Sequence, residues 1–369
     1  MPDSRALSYA GPASVTDARV VNIDTANAAE WPTDRFVPLP VKRVIRETRD
    51  AVSIVLDVSE SSVQQFRYQA GQFLTLLVCV DGQQHQRCYS MSSSPAVEED
   101  LRITVKRDRD GVVSNWLNDT AVPGCTLHVA PPRGRFVLKD TDRALIAFAG
   151  GSGITPVFSL LQSALASTNR GTWLFYANRA RDSVIFDAAL ASLRDRHPSR
   201  FALQHHFDEA TGIVTPAQVQ SFIVHTEDAD FYICGPGPFM DTVEITLGTA
   251  GVPAERVHLE RFEATATPLV SPVEAGAVVT EEVTIGLDGR TTTVSYTAGD
   301  TLLQTARMAG LRAPSSCEIG SCGTCMARLA EGCARMVNND ALDDDEVDEG
   351  WVLTCQALPT SRTVRVVYE

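Results

Sequence analysis

Short apolar runs separated by turn residues make up the chain from Val37 to about Leu138. Leu101–Lys106 alternates between apolar and polar positions, whereas Phe73–Val80 is almost continuously apolar and precedes a turn at Asp81-Gly82. Many short strands at this spacing predict an antiparallel β-barrel. The residues before them, 1–35, are rich in Ala, Ser, Thr, Asp and Pro without a sustained period. We expect a flexible tail there, with a short strand or helix added to the barrel as the alternative.

The pattern changes after Thr141. Residues 144–149 form a continuous apolar run, a glycine-rich turn follows, and apolar positions then recur at helical spacing to Leu165. Further strands are predicted at residues 172–177, 201–206 and 230–234, with a helix at 184–196. This alternation predicts an α/β domain with a parallel sheet, whose ligand binds at the C-terminal ends of the strands. That rule places five residues on one rim: Gly151, Gly153, Asn178, Cys234 and Gly235.

The last quarter of the chain has a third pattern. Residues 264–280 combine small side chains with two prolines and predict an extended linker. A hairpin about Asp288-Gly289, a helix at residues 301–310 and a strand at 362–368 then predict a small α+β module.

Four cysteines in that module have the spacing of a metal centre. Cys317, Cys322 and Cys325 follow C-x4-C-x2-C, and Cys355 comes 30 positions later. This is the plant-type ligand pattern for a [2Fe–2S] cluster. A zinc site or a disulfide pair is the alternative, but no histidine lies near the loop, and zinc sites usually show paired CxxC or Cys/His sets. Cys333, eight positions after Cys325, is not expected to be the fourth ligand, because the predicted strand between them carries it away from the loop.

Two segments of the predicted barrel suit a flavin. Arg87, Tyr89 and Ser90 follow one strand and offer a charge, a ring and a hydroxyl. Gly111 precedes a predicted helix with Ser114 as its cap, and helix N-termini bind phosphates through their free N–H groups. A polar strand end is the alternative interpretation of the first segment.

Composition limits location and partners. Of the 369 residues, 44% are apolar and 21% charged, as in globular proteins of two or three domains. The sequence contains neither a membrane-length apolar run nor an apolar core near its N-terminus, so we expect a cytoplasmic protein. The net charge of −14 argues against nucleic acid and anionic membranes as partners. His205 and His206 should point to opposite faces of one strand, which argues against a shared metal.

Together these motifs resemble one family. The segments that carry the resemblance are Gln72-Phe-Leu-Thr-Leu, Arg87-Cys-Tyr-Ser, Ala149-Gly-Gly-Ser-Gly-Ile-Thr-Pro, Tyr176-Ala-Asn-Arg, Ser183-Val-Ile-Phe, Ile233-Cys-Gly-Pro-Gly-Pro-Phe-Met and Leu353-Thr-Cys-Gln-Ala. They are similar to the ferredoxin-reductase-like flavoproteins that carry a C-terminal plant-type ferredoxin, and the longer ones resemble its steroid-hydroxylating branch. The resemblance implies a multidomain fold: an antiparallel β-barrel FAD domain (36–139), an α/β parallel-sheet nucleotide domain (140–263), the linker (264–280) and an α+β ferredoxin (β-grasp) domain (281–369).

The resemblance also implies a role for each motif residue. Arg87 would bind the FAD pyrophosphate, Tyr89 would stack on the flavin ring, and Ser90 would hydrogen-bond near its N5. The remaining FAD contacts would be Val105, Lys106, Gly111, Val113, Ser114 and, over the other face of the ring, Phe262. The nicotinamide nucleotide would contact Gly151, Gly153, Thr155, Asn178, Arg179, Cys234 and Gly235. Cys234, Ser90 and Tyr89 would be the catalytic residues, and Cys317, Cys322, Cys325 and Cys355 the cluster ligands. A buried strand-end thiol and a core ring are the alternatives for Cys234 and Phe262.

The implied activity is transfer of electrons from NADH through FAD and the [2Fe–2S] cluster to a separate terminal oxygenase, expected to be a Rieske non-haem iron protein. A flavin must stand between a two-electron donor and a one-electron acceptor, because it can hold two electrons, one or none. Arg179 and Arg181 alone would favour NADPH, through contact with a 2′-phosphate, whereas the resemblance favours NADH. The alternatives are a reductase for an aromatic or acyl-CoA oxygenase, including a diiron enzyme, and a redox sensor or interaction protein. A monomer is expected.

Overall fold

The computed structural model describes residues 36–98, 100–109, 111–223, 228–262, 280–311, 313–315, 320, 323–339 and 341–368. The predicted tail and nearly all of the predicted linker lie outside these residues, as do Cys317 and Cys322. Within the described part, no helix is long and apolar enough to cross a membrane.

The first domain is the expected antiparallel barrel. Its strands are β1 (Val37–Thr48), β2 (Ala51–Leu56), β3 (Phe73–Val80), β4 (Gln83–Ser90), β5 (Leu101–Lys106) and β6 (Thr126–Val129), in the order β4-β3-β6-β1-β2-β5. A bridge between Met91 and Ile103 brings the two outer strands together. The inward residues of all six strands form one apolar core, which includes Ile54, Leu76 and Val105.

Helix α1 spans Val112–Thr120, and its N-cap is not the predicted Ser114. The N-cap is Gly111, and Ser114 lies in the first turn instead. The Ser114 hydroxyl accepts a hydrogen bond from the backbone N–H of Asp108 at 3.1 Å and donates to the Gly111 carbonyl at 3.3 Å. The serine therefore ties the preceding loop to the helix, and its side chain does not cap the helix N–H groups.

The second domain is a five-stranded parallel sheet with helices on both faces. Its elements are β7 (Ala144–Gly150), α2 (Ile154–Ser167), β8 (Thr172–Asn178), α3 (Asp187–Arg196), β9 (Phe201–Phe207), α4 (Asp208–Thr211), α5 (Pro216–Phe222), β10 (Ala229–Cys234), α6 (Gly237–Thr249) and β11 (Val257–Glu260). The strand order is β11-β10-β7-β8-β9, so the chain reverses direction across the sheet between β7 and β10. In such sheets that switch point is where the ligand crevice opens.

Three details of this domain can be compared with the predictions from sequence. Helix α3 begins three residues later than predicted, because its N-cap Phe186 has a φ of 64° that breaks the helix there. The edge strand β11 was not predicted. His206 stacks near Phe175 on one face of the sheet and His205 near Tyr176 on the other, so their predicted separation is confirmed.

The third domain has the predicted α+β architecture. Its elements are β12 (Glu282–Leu287), β13 (Arg290–Ser295), α7 (Leu302–Met308), β14 (Met326–Glu331), β15 (Ala334–Met336), α8 (Asp344–Asp348), β16 (Trp351–Leu353), β17 (Ala357–Pro359) and β18 (Thr363–Val367). The main sheet has the order β13-β12-β18-β14-β16, and β12 and β18 are parallel. Helix α7 starts with a capping box between Thr301 and Gln304 and buries Leu302 and Ala306 against this sheet.

Hydrogen bonds between serines join the barrel to the nucleotide domain. The hydroxyl groups of Ser94 and Ser163 lie 2.7 Å apart, and Ser159 donates to the Ser93 carbonyl at 2.5 Å. Ser93 and Ser94 follow β4, and their partners lie on α2. Helix α2 is therefore fixed against the end of the strand that carries Ser90.

Candidate functional site

The tightest approach on the nucleotide rim is between the turn after β7 and the end of β10. A Cβ added at Gly153 would lie 2.1 Å from the Cys234 carbonyl oxygen and 2.6 Å from the Gly235 nitrogen. Only a residue without a side chain fits there, which is the use of glycine at close backbone approach. The sequence prediction that Gly153, Cys234 and Gly235 share one rim is thus borne out by their contact.

Cys234 is fully buried at the end of β10. Burial raises the pKa of its thiol well above the ordinary value, and the charge of Glu260 raises that pKa further. Glu260 stands directly opposite Cys234 in the pairing of β10 with β11. The thiol is therefore neutral near pH 7. No role was predicted for Glu260, because β11 was not predicted and no sequence pattern marks the register of β11 against β10.

Asn178 ends β8 on the same rim. It is buried, and neither its amide oxygen nor its amide nitrogen has a hydrogen-bond partner among the described residues. A buried, unsatisfied amide is costly unless something else binds it, so Asn178 fits a polar ligand. The Thr155 hydroxyl donates to the Ser152 carbonyl at 3.0 Å, and the Tyr176 hydroxyl donates to the Gly151 carbonyl at 3.0 Å. Both hydrogen bonds fix the turn that would hold the nucleotide phosphates.

The candidate flavin residues lie at the end of β4. Ser90 is buried, and its hydroxyl also lacks a partner among the described residues. Tyr89 is half-buried, and burial raises the pKa of its phenol, which stays protonated. Arg87 is exposed on the same strand. An exposed guanidinium, a half-buried ring and a buried hydroxyl without a described partner thus follow one another at the end of β4, and these are the groups that a flavin nucleotide would need there.

Helix α1 and β5 contribute the rest of the flavin surface. No described side chain caps the N-terminus of α1, so its first N–H groups stay available for phosphate oxygens. Val113 and Val105 are buried in the barrel core rather than exposed. They can support the site, and Val105 can reach a ligand only through its backbone. Lys106 extends across to the nucleotide domain, where its amino group lies 3.6 Å from the position a Cβ on Gly151 would take.

Phe262 follows β11, and 40% of its surface is exposed. This exposure excludes the interpretation of Phe262 as a core ring and is compatible with an aromatic side chain that covers a ligand. Arg179 is also exposed.

The described half of the cysteine set is brought together. Cys325 and Cys355 are both buried in one small apolar cluster with Leu303, Leu342 and Leu353. The Thr354 backbone N–H and hydroxyl both donate to the Cys325 carbonyl, at 3.1 and 2.8 Å. Thiolates in this setting suit an iron–sulfur centre, because sulfur is the ligand type such clusters take.

Cys333 lies apart from this pair. It is exposed in the turn between β14 and β15, and the six-residue β14 separates it from Cys325. At about 3.3 Å per strand residue, that places Cys333 roughly 20 Å along the chain from the loop. Its own backbone N–H is bonded to Ser361.

The three sites adjoin one another. Phe73 pairs with Ser90 across β3 and β4, and on its other side it bridges to Arg133. Arg133 reaches the ferredoxin domain, where its guanidinium lies 3.2 Å from the position a Cβ on Gly323 would take. Two strand spacings, roughly 10 Å, therefore separate the backbone of the flavin residue Ser90 from that of Arg133. Lys106 makes the corresponding link from the barrel to the nucleotide rim.

Barrel, parallel sheet and cysteine loop together define an oxidoreductase with flavin, nicotinamide and iron–sulfur domains. Three family models match in that order: an oxidoreductase FAD-binding domain over residues 38–138, an oxidoreductase NAD-binding domain over 147–244, and a 2Fe-2S iron-sulfur cluster binding domain over 285–360. The expected FAD, NAD and [2Fe–2S] cofactors are thereby confirmed at the level of domains.

Known proteins of the same organisation match nearly the whole chain. The ferredoxin reductase component of 3-ketosteroid-9-alpha-monooxygenase from Rhodococcus rhodochrous is 39% identical over 90% of this chain and 97% of that protein. One component of the 1,2-phenylacetyl-CoA epoxidase of Escherichia coli is 33% identical over 90% of this chain and 98% of that protein. The crystal structure of phthalate dioxygenase reductase superposes with a TM-score of 0.60 at 28% identity, covering 91% of this chain and 98% of that one. This chain belongs to the family of ferredoxin reductase components of monooxygenase systems.

Proposed function

We propose that this protein is the NADH-dependent reductase of a steroid monooxygenase system of the 3-ketosteroid-9-alpha type. Support comes from the 39% identity to the Rhodococcus rhodochrous component over nearly the full length of both chains. Its partner is a separate terminal oxygenase, of the Rieske non-haem iron kind that the sequence resemblance implies. The protein acts as a monomer.

The proposal that electrons pass along a single chain is supported above all by one observation: the three sites adjoin one another. The barrel contacts the nucleotide rim through Lys106 and the cysteine loop through Arg133, so neither step needs a second protein. The free hydroxyl of Ser90 and the free amide of Asn178 support binding of a flavin and a nucleotide at the facing ends of the two domains.

Each of the proposed catalytic residues has a distinct task. A bound FAD would supply the chemistry that links a two-electron donor to a one-electron acceptor. Ser90 would donate a hydrogen bond to the flavin edge, and Tyr89 would support the ring. Cys234 provides a small neutral surface beside the nicotinamide, and the glycines next to it allow close approach. Cys317, Cys322, Cys325 and Cys355 hold the cluster.

The NADH preference is supported by the charge around Arg181. Its guanidinium is paired with the Asp187 carboxylate at 3.0 Å, so less of its charge is available to a 2′-phosphate. Asp187→Asn should therefore raise kcat/KM for NADPH while leaving that for NADH within about twofold. Both side chains are about half exposed, so the gain should be modest, roughly two- to fivefold. A wild-type kcat/KM for NADPH at or above that for NADH would refute the preference.

A reconstitution experiment tests the proposed partner. The purified holoprotein is combined with NADH, a 3-ketosteroid and the terminal oxygenase of the Rhodococcus rhodochrous system, and hydroxylated steroid is measured. A parallel reaction uses the remaining components of the Escherichia coli epoxidase with phenylacetyl-CoA, since the matching component of that system is 33% identical. We expect coupled turnover in the first reaction. Coupling only in the second would show that the chain serves an acyl-CoA oxygenase.

The remaining alternative is a redox sensor. Rapid turnover of NADH with ferricyanide, a one-electron acceptor, is expected of a reductase. A protein that binds all three groups without sustained turnover would instead be a sensor or interaction protein.

A further inference from the structure

Two arginines of the barrel contact the module that carries the cysteine loop. Arg133 lies beside Gly323, which sits between Cys322 and Cys325 in the sequence. Arg135 donates a hydrogen bond to the Leu342 carbonyl at 2.5 Å. Nothing in the sequence pattern singled out either arginine, because both contacts join residues about 200 positions apart.

The barrel fixes the backbone that carries both side chains. Phe73 and Arg133 exchange two backbone hydrogen bonds, at 2.8 and 3.0 Å. A Cβ on Gly134 would lie 3.1 Å from the Phe73 ring, so the chain lies directly against that ring. The guanidinium groups therefore start from a rigid base that is continuous with Ser90 through β3 and β4.

Neither arginine has a carboxylate partner within salt-bridge distance in the part of the chain that the structure describes. The nearest acidic side chain along the contacting segment, Asp343, accepts a hydrogen bond from the Glu346 backbone N–H and caps α8. Among the described residues, the two guanidinium groups therefore meet the ferredoxin module beside Gly323 and at the Leu342 carbonyl without a carboxylate partner. Cations in this position would complement the negative charge of a cluster held by cysteine thiolates in the ferredoxin module.

We propose that Arg133 and Arg135 are positioning residues for electron transfer into the cluster. Arg135 anchors the ferredoxin module against the barrel through the Leu342 carbonyl, and Arg133 places a positive charge beside the cysteine loop. This inference rests on the proposed function, because it assumes that the flavin is the electron donor to the cluster.

The sign of the Arg133 effect follows from charge. Each reduction adds one electron to a centre that is already anionic, and net charge is one of the factors that set iron–sulfur potentials. A nearby cation favours the reduced form, so its removal should make the cluster harder to reduce. Arg133 is exposed, and water and salt screen its charge. The expected effect is about a two- to fivefold fall in the ratio of reduced to oxidised cluster at a fixed potential.

The two roles are separated by variants of the full-length holoprotein. Arg133→Gln removes the charge, Arg133→Lys retains it, and Arg135→Gln removes the anchor. Arg43→Gln is the matched control, because Arg43 is an exposed barrel arginine on β1. Cluster loading is checked first by visible absorption, and Arg133→Met replaces the glutamine variant if that loads poorly.

The cluster potential is measured by EPR-monitored redox titration, and the rate of cluster reduction by anaerobic stopped flow with NADH. Arg133→Gln should lower the potential, while Arg133→Lys and Arg43→Gln should not. Arg135→Gln should slow cluster reduction without changing flavin reduction, and should increase the radius of gyration measured by X-ray scattering. An Arg133→Gln potential equal to that of Arg43→Gln would overturn the electrostatic role. Parent-like cluster kinetics and size for Arg135→Gln would overturn the anchor. If NADH fails to reduce the cluster in the parent protein, the proposed function itself is wrong.

Discussion

Gly153→Ala is the sharpest test of the nucleotide rim. The added Cβ would lie 2.1 Å from the Cys234 carbonyl oxygen, whereas ordinary contacts begin near 3.4 Å. The two strand ends must therefore separate by about 1.3 Å, the difference between these distances. Both partners are backbone atoms, so no side-chain rotation can relieve the contact. The turn after β7 or the end of β10 must move.

This displacement sets the expected size of the effect. A misplacement of about 1 Å in a reacting geometry can cost roughly a hundredfold in rate. We therefore expect flavin reduction by NADH to slow about a hundredfold in Gly153→Ala. Overpacking of a buried contact also costs about 1–3 kcal/mol of stability. FAD content should be unchanged, because the rim belongs to the nucleotide domain.

Anaerobic stopped flow at 450 nm measures the reduction rate, and thermal denaturation measures the stability. Gly248→Ala is the control, because the residue lies in helix α6 and a Cβ there would meet nothing within 4 Å apart from the backbone of its own helix. It should keep the parent rate and gain about 0.4–1 kcal/mol, since alanine restricts the unfolded chain. A Gly153→Ala rate within about twofold of Gly248→Ala would refute the assignment of this turn to the nicotinamide site.

Three further outcomes are expected. Cys234→Leu should slow flavin reduction with FAD content intact, because the thiol site is fully buried and has no room for two more heavy atoms; an unchanged rate would remove Cys234 from the site. Cys355→Ala should lose the visible absorption of the cluster while Cys333→Ala keeps it, and the reverse pattern would overturn the ligand assignment. Salt should slow oxygenase turnover more than ferricyanide turnover, because the ferredoxin domain has seven basic and fourteen acidic residues, half of the chain's net −14. Replacement of residues 343–345 with Asn should weaken that salt dependence, and since Asn is also a good N-cap, α8 should persist. Parallel salt profiles for the two activities, or a parent-like triple variant, would rule out docking through these residues.

Residue pattern predicted the order of elements well because apolar periodicity is a local property. The continuous run at β7 and the glycine turn after it were sufficient to identify a strand, a phosphate-binding turn and a helix. The predicted N-cap of α1 was wrong because both Ser114 and Gly111 are residue types that can precede a helix. Only the hydrogen bond from the Asp108 N–H to the Ser114 hydroxyl, which engages the serine elsewhere, distinguishes them. Strand β11 was missed because four residues are too few to show a period.

The site was predictable where motifs are contiguous and unpredictable where it depends on pairing. Gly153 and Cys234 could be placed on one rim from general rules for parallel sheets. The register that sets Glu260 beside Cys234 depends on how an edge strand aligns, and no local pattern specifies it. The contact of Arg133 could not be predicted for the same reason, since its neighbour Gly323 lies in another domain.

The backbone pairing of Phe73 with both Ser90 and Arg133 bears on how domains can be exchanged between such reductases. On one side this residue holds the strand that ends at Ser90, and on the other it holds Arg133. A chimaera cut at residues 264–280 would move the ferredoxin module but leave its contact partners behind on the barrel. The unit that can be exchanged between relatives without losing this contact is therefore discontinuous: the C-terminal module together with residues 133–135. Sequence variation in that short barrel segment should follow the identity of the attached ferredoxin rather than that of the bound flavin.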